Sequence, residues 1–320
     1  MNTTTRTSDP FGALLCGGAL IFGLIGFTMN LSLTIVLGKL GFKARPPYFL
    51  AAAVCDAIMC FGCLPFSGFR LFWALGYVGY YSAFDCTLLN VVPVTGSIAT
   101  QWICVIVAFD RSIAVTFPIW YNGWKNKTSL VVVFLILNLV NSSVFSGFLF
   151  YRLPKSLVLS ACYSATISHP NVVQYYSFNI LSGGFAILLL YLEFVIAIRN
   201  NTRQTTAHLA TDSQQSHAQK RQQALTMTAS SIVAATLFLS VVPNMGILIG
   251  SILKIASNWL VPAGQLATFT TSLRACLLVI IQMHRDSHIK WAVLDIILKR
   301  GKITIHPSNF TAATLKPGQK

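Results

Sequence analysis

Residues 86–118 read CTLLNVVPVTGSIATQWICVIVAFDRSIAVTFP: a cysteine, a long apolar stretch, then Asp110-Arg111-Ser112 and finally Pro118. A helix crosses a bilayer with about 20 mostly apolar residues, and 87–109 meets that length. Six further stretches of the same kind lie at roughly 11–37, 47–69, 130–151, 172–198, 224–253 and 259–283. In lipid each backbone must satisfy its own hydrogen bonds, so spans of this length are expected to be helices, and the alternation of a membrane barrel is not seen. The expected fold is all-α: one seven-transmembrane helix bundle over 11–283, an extracellular segment 1–10, and an amphipathic helix with a cytoplasmic tail over 284–320.

Composition agrees with that reading. The chain has 320 residues, 54% of them hydrophobic and 10% charged, with a mean hydropathy of +0.66. A soluble domain carries about 25% charged residues, so most of this surface is expected to face lipid. Met1 to Pro10 is polar and has no basic run before an apolar core with a small-residue cleavage site, so the first span reads as a retained anchor.

The formal charge of +15 raises the question of nucleic acid, but its distribution answers it. Lys39, Lys43, Arg45, Lys125, Lys127, Arg199, Arg203, Lys220, Arg221 and the tail residues Lys299, Arg300 and Lys302 fall on one side of the spans. Arg70, Arg152, Lys155 and Lys254 are assigned to loops on the other. The positive-inside rule then puts the N-terminus outside and the C-terminus inside a multi-pass protein, expected in the plasma membrane. A basic groove with interleaved aromatics is absent, so no nucleic-acid partner is expected; the bilayer is the partner, with anionic lipid a second use of the charge.

Orientation also sorts the glycosylation sequons and the cysteines. Of the sequons at Asn2, Asn30, Asn126, Asn141, Asn200 and Asn309, only Asn2 is placed outside and open to modification. Cys86 at the outer end of the third span and Cys162 in the second outer loop face an oxidising compartment, where a bridge would pin the loop over the mouth of the bundle. Cys16, Cys55, Cys60, Cys63, Cys104 and Cys276 lie in spans as small hydrophobes, and no metal site is expected.

These residues together resemble the rhodopsin-like G-protein-coupled receptors over nearly the whole chain. That family opens its third helix with an outer cysteine and closes it with Asp/Glu-Arg-Tyr, followed by a proline in the second inner loop; Cys86, Asp110-Arg111-Ser112 and Pro118 match, with Ser112 in place of the tyrosine. Gly26-Phe-Thr-Met-Asn30 resembles the first-helix asparagine motif and Leu50 to Asp56 the second-helix aspartate motif. Pro65 and Trp73-Ala-Leu-Gly76 fit the second-helix kink and the first outer loop. Departures narrow the resemblance. Val241 stands two residues before the sixth-helix Pro243, where the family has a tryptophan. Leu278 to Gln282 lacks Asn-Pro-x-x-Tyr, and Gly183, above Tyr191, stands in for the fifth-helix proline. Divergence of this kind, with Asp-Arg-Ser and Phe-Pro-Ile-Trp-Tyr kept, is similar to the nematode chemosensory receptor families.

The resemblance implies a chemosensory receptor that binds a small molecule in the outer half of the bundle and activates a heterotrimeric G protein, without a cofactor. Arg111 is the implied switch, paired with Asp110 at rest; a second partner on the sixth helix is lacking, because Gln223 occupies that place. The competing reading makes Asp110-Arg111 a plain interfacial pair. Asp56 and Arg274 each cost about 2.5–3.5 kcal/mol within a span, so Arg274 is expected to replace the inner cation beside Asp56, near Asn30; alternatively it snorkels or meets a carbonyl. Pro93 occupies the place of the amine-binding aspartate, which argues against an aminergic ligand, and no seventh-span lysine is present for retinal. Candidate lining residues are Asn90, Val94, Ser97, Tyr175, Asn179, Asn244, Leu248, Gln265 and Thr268, each of which packing alone also explains.

Other features weigh less. His284 and His288 share a helical face, but basic neighbours favour a solvated role over a metal. Residues 286–298 suggest a helix on the inner leaflet with Ile289, Trp291, Val293, Leu294 and Ile297 toward lipid, and 199–223 suggests a mobile inner loop. No pair of deep carboxylates, nucleophile motif or phosphate loop supports an enzyme. A seven-span carrier or ligand-gated channel is the better rival, and it leaves the register of Arg111 and Pro118 unexplained.

Overall fold

The computed structural model describes residues 9–40, 47–77, 81–117, 120–121, 127–153, 158–159, 162, 170–208, 231–232, 234–253, 257–285 and 287–298. Asn2, Pro118, Gln223, Lys254 and the tail beyond 298 lie outside them, as does the side chain of His288. Among the described residues the helices are α1 (Pro10–Leu40), α2 (Pro47–Ala74), α3 (Ala83–Thr116), α4 (Lys127–Phe148) and α5 (Pro170–His208). Then come α6, a π turn Leu237–Val241 running into Val242–Ile252, α7 (Ser257–Arg285) and α8 (Ser287–Ile297). Six of these are long and apolar enough to cross a membrane, and the apolar run Ala234–Gly250 of α6 is shorter.

Local chemistry sets several of the ends. Pro10 and Pro47 open α1 and α2, where a missing N–H costs nothing. Asp9 caps α1 by accepting the Gly12 N–H at 2.9 Å. The Ser82 hydroxyl caps α3 through the Asp85 N–H at 3.1 Å. At the outer end of α2 the chain turns through Gly76, whose φ of 92° suits only glycine, and Tyr77 N–H returns to Phe72 O at 3.1 Å. This helix therefore runs past the expected end at residue 69 and carries Arg70 inside it, 4% exposed, which corrects its assignment to an outer loop.

Two inner-side expectations also change. Helix α5 continues to His208, so the first part of the segment read as a loop is helical; residues 199–208 contain no Gly or Pro to stop it. On α8, Trp291 and Ile297 are exposed, but Ile289 and Val293 are buried against Leu33, Val36 and Leu37 of α1 and Val279 of α7. The short helix is thus docked on the bundle by two of the side chains expected to reach lipid.

Helix α1 packs on α2 and α7, α2 on α3, α3 on α4 and α5, and α6 on α5 and α7, which closes the ring. Large apolar side chains such as Leu14, Leu139 and Phe178 point outward and remain exposed. That surface would drive aggregation in water and is what a bilayer requires. Inside, the layers run from Phe66, Ala83, Cys86 and Cys162 at the outer end, through Met59, Cys60, Cys63 and Ala275, to Tyr48, Ile103, Ile106 and Val131 at the inner end. Cys86 and Cys162 are disulfide-bonded, Cα atoms 5.4 Å apart. Beside them Tyr81–Ser82 pairs antiparallel with Val158–Leu159, so a bond and a two-residue ladder fasten the second outer loop to the start of α3.

Candidate functional site

Helical spacing on α2 aims Asp56 at α7, and Arg274 meets it there: Nη2 lies 3.0 Å from Asp56 Oδ1, with Asp56 2% and Arg274 1% exposed. The same nitrogen is 3.9 Å from Met59 Sδ. Arg274 Nε and Nη1 are buried without a hydrogen-bond partner. Asn30 does not reach the carboxylate; its Nδ2 donates to Gly26 O at 2.9 Å and to Ala275 O at 3.4 Å, tying α1 to the residue beside Arg274. A pair at this depth is costly to form and costlier to break from one side.

A second Asp–Arg pair closes the inner end of α3. Arg111 Nη2 stands 3.4 Å from Asp110 Oδ2, with side chains 29% and 10% exposed. Sequence reasoning missed the two groups that complete this cluster. Tyr48, in the first turn of α2, donates its hydroxyl to Asp110 Oδ2 at 2.9 Å and accepts a hydrogen bond from Arg111 Nη2, whose guanidinium also lies 5.9 Å from the Tyr48 ring centroid. Tyr121 donates to Asp110 Oδ1 at 2.9 Å. Burial, then the Asp110 charge, pushes the Tyr121 phenol up to about 12, so it remains a donor at ordinary pH. The hold on Arg111 thus comes from α2, where no motif announced it, while Tyr121 ends the Phe-Pro-Ile-Trp-Tyr string.

Arg111 also borders a cleft between α3, α5 and α6, with Val107, Leu190, Tyr191, Phe194 and Thr236 among its walls. Above it the π turn of α6 precedes Pro243. A proline offers no N–H to the preceding turn, and a wider turn is one way to absorb the misfit; here Val242 N–H closes on Leu237 O. Val241, in the place of the expected tryptophan, is buried against Gly184 of α5, where an added Cβ would come within 2.7 Å of its side chain. The small pair lets α5 and α6 approach closely beneath the outer half.

The proposed lining residues divide. Asn90, Ser97, Asn244 and Gln265 are buried, and Val94, Leu248 and Thr268 are half-buried. Thr268 donates back to Gly264 O at 2.9 Å within its own helix. Tyr175 and Asn179 face α4 instead of the bundle axis. Tyr175 donates to Asn141 Oδ1 at 3.1 Å and stacks on Phe145, while Asn179 Oδ1 accepts from Asn141 and from Trp102, each at 3.3 Å. The inward residue is their neighbour Tyr176, donating to Asn244 Oδ1 at 3.1 Å. One residue is a rotation of about 100° on a helix, so a one-residue error in register exchanges the two tyrosines.

Comparison with known proteins gives one result. No curated protein matches the sequence. The family described as serpentine type 7TM GPCR chemoreceptor Srsx matches residues 20–294, from within α1 to within α8. The match runs through both Asp–Arg pairs, the disulfide and the α6 bend, and the chain belongs to this family of seven-helix chemoreceptors.

Proposed function

We propose that the protein is a plasma-membrane chemoreceptor that binds a small, non-aminergic molecule in the outer half of the bundle and activates a heterotrimeric G protein through Arg111. The observation that supports this reading most is the position of Arg111. Its guanidinium is held by Asp110 and by Tyr48 of α2, yet it borders the inner cleft between α3, α5 and α6. Ligand binding biases a two-state bundle only through a difference in affinity between the states. In this reading the bend at Pro243 carries that bias to the inner end of α6, the cleft widens past Tyr191, and Arg111 leaves Tyr48 to meet the transducer. Pro118, outside the described residues, is given a part in coupling by its place in the sequence alone.

The test is nucleotide exchange by purified receptor in lipid with a panel of heterotrimeric G proteins, beside Arg111→Ala. Exchange by the wild type that the variant loses at least tenfold is the expected outcome. Equal exchange by both would remove Arg111 from the switch.

A further inference from the structure

Two adjacent glycines on α5 seat the helices on either side of it. Beside Gly183 lies Gln101 of α3, whose Nε2, Cγ and Cδ would be 3.1, 3.3 and 3.4 Å from an added Cβ. Beside Gly184 lies Val241 of α6, whose nearest side-chain atom would be 2.7 Å from one. The missing side chain at 183 lets the Gln101 amide lie against the helix and donate from Nε2 to the Ile180 carbonyl. Gln101 is 2% exposed, and its Oε1 has no hydrogen-bond partner.

Half of this amide is used and half is not. Helix α5 runs as α-helix from Pro170 to His208, so the Ile180 carbonyl already has its place in the helical ladder and needs no second donor. The buried Oε1 has lost water and gained no bond, which costs stability. An apolar side chain of the same shape would serve the fold as well, so stability does not explain the Gln101 bond. Its position does. Outward of it α5 is tied toward α4: Asn179 accepts from Trp102 and Asn141, and Tyr175 donates to Asn141. Inward of it Ile187 and Leu190 form an apolar wall of the cleft that Arg111 borders. Gln101 stands between a part of α5 fixed by several side chains and the part that lines the cleft.

We infer that Gln101 is a positioning residue whose amide latches α5 onto α3 while Arg111 is held by Tyr48 and Asp110. Release of the latch lets the inner half of α5 swing about its anchor at Trp102 and Asn141 and opens the cleft. Because Val241 is seated on the next residue, the same movement carries α6. The effect on nucleotide exchange rests on the receptor reading above, whereas the opening of the cleft can be followed without a transducer.

Cys104 supplies the probe. It is a free thiol on the cleft wall, 4.0 Å from the Thr236 hydroxyl just before the π turn, so its alkylation follows the opening of the cleft. Full-length receptor in nanodiscs is treated with an N-alkylmaleimide, and the Cys104 adduct is quantified by peptide mass spectrometry against that of Cys55. Tm and nucleotide exchange are measured on the same samples. Gln101→Met keeps the length and shape of the side chain and removes the amide. Alkylation of Cys104 should quicken about threefold or more, while Tm stays level or rises because the unsatisfied acceptor is gone. Gly183→Ala crowds the amide off its seat and should move alkylation the same way; if that variant fails to fold, Gln101→Met carries the test. Unchanged or slower alkylation in Gln101→Met, with a fall in Tm, would make the bond a plain packing contact and overturn the latch. So would exchange that depends on Arg111 in the wild type and is unmoved by Gln101→Met. Faster alkylation in a receptor that no G protein answers keeps the latch and removes the coupling.

Discussion

The two Asp–Arg pairs of this bundle differ in what surrounds the same two charges. Asp56 and Arg274 meet at 3.0 Å with side chains 3% and 1% exposed. Asp110 and Arg111 meet at 3.4 Å with 10% and 29% exposed, and two tyrosine hydroxyls share the carboxylate. In the first pair either charge without the other is stranded in a medium that cannot solvate it, so the pair is worth most as a fixture. In the second, water and phenols stand ready to replace the partner, and exchange is cheap. A switch needs the second arrangement and a scaffold needs the first.

The largest effect should come from breaking the fixture on one side. Asp56→Asn removes the charge but leaves Arg274 buried, and losing one member of such a pair costs about 3–5 kcal/mol. Surface expression should collapse and Tm should fall. Arg274→Met in the same chain should restore much of both, because the stranded charge is then gone. Normal expression of Asp56→Asn alone would show that the deep pair is no fixture, and the contrast with the inner pair would fail.

Tyr48→Phe should act on signalling more than on folding. It deletes the hydroxyl that accepts from Arg111 and donates to Asp110 but keeps the ring under the guanidinium. Hydrogen bonds to charged groups contribute about 1.5–3 kcal/mol, and about 1.4 kcal/mol is a tenfold change in an equilibrium. Basal nucleotide exchange should rise about tenfold, with Tm falling by only about 3–6 °C. A fall in expression with no rise in exchange would place Tyr48 in the scaffold and not in the switch.

How far these features could be read from sequence depends on whether hydropathy or rotation decides them. The spans were legible because apolar length alone fixes them. The deep pair was open to reading because only Asp56 and Arg274 are charged well inside their spans, so few partners were possible. Arg70 was misplaced because it stands one residue past an apolar run, and hydropathy cannot see a helix continue to Ala74. Tyr48 gave no signal, since a tyrosine after a proline at a membrane boundary is ordinary, and its partner lies 62 residues away on another helix. Tyr175 and Tyr176 show the sharpest limit. Adjacent identical residues differ only in rotation, and no periodicity argument from an irregularly apolar helix fixes that angle to within one residue.

Tyr121→Phe is the finest test, because it touches only the outer edge of the switch cluster. Its hydroxyl donates to Asp110 Oδ1 at 2.9 Å, and its removal leaves the Arg111 contacts in place. Solvent screening at this half-exposed site brings the bond down to about 0.5–0.7 kcal/mol, so basal exchange should rise about twofold to threefold, below the Tyr48→Phe effect. The pH dependence sharpens the assignment. With the phenol raised from its ordinary value of 10.0 to about 12, the folded state holds this proton more firmly than the unfolded state. The contribution is fully present below about pH 10 and declines as the pH rises toward 12. From about pH 6 to about pH 9 the difference between wild type and Tyr121→Phe should therefore be flat. A difference that shrinks within that interval would mean that the group leaving Asp110 is not the Tyr121 phenol, and the inner pair would have a partner more readily titrated than tyrosine.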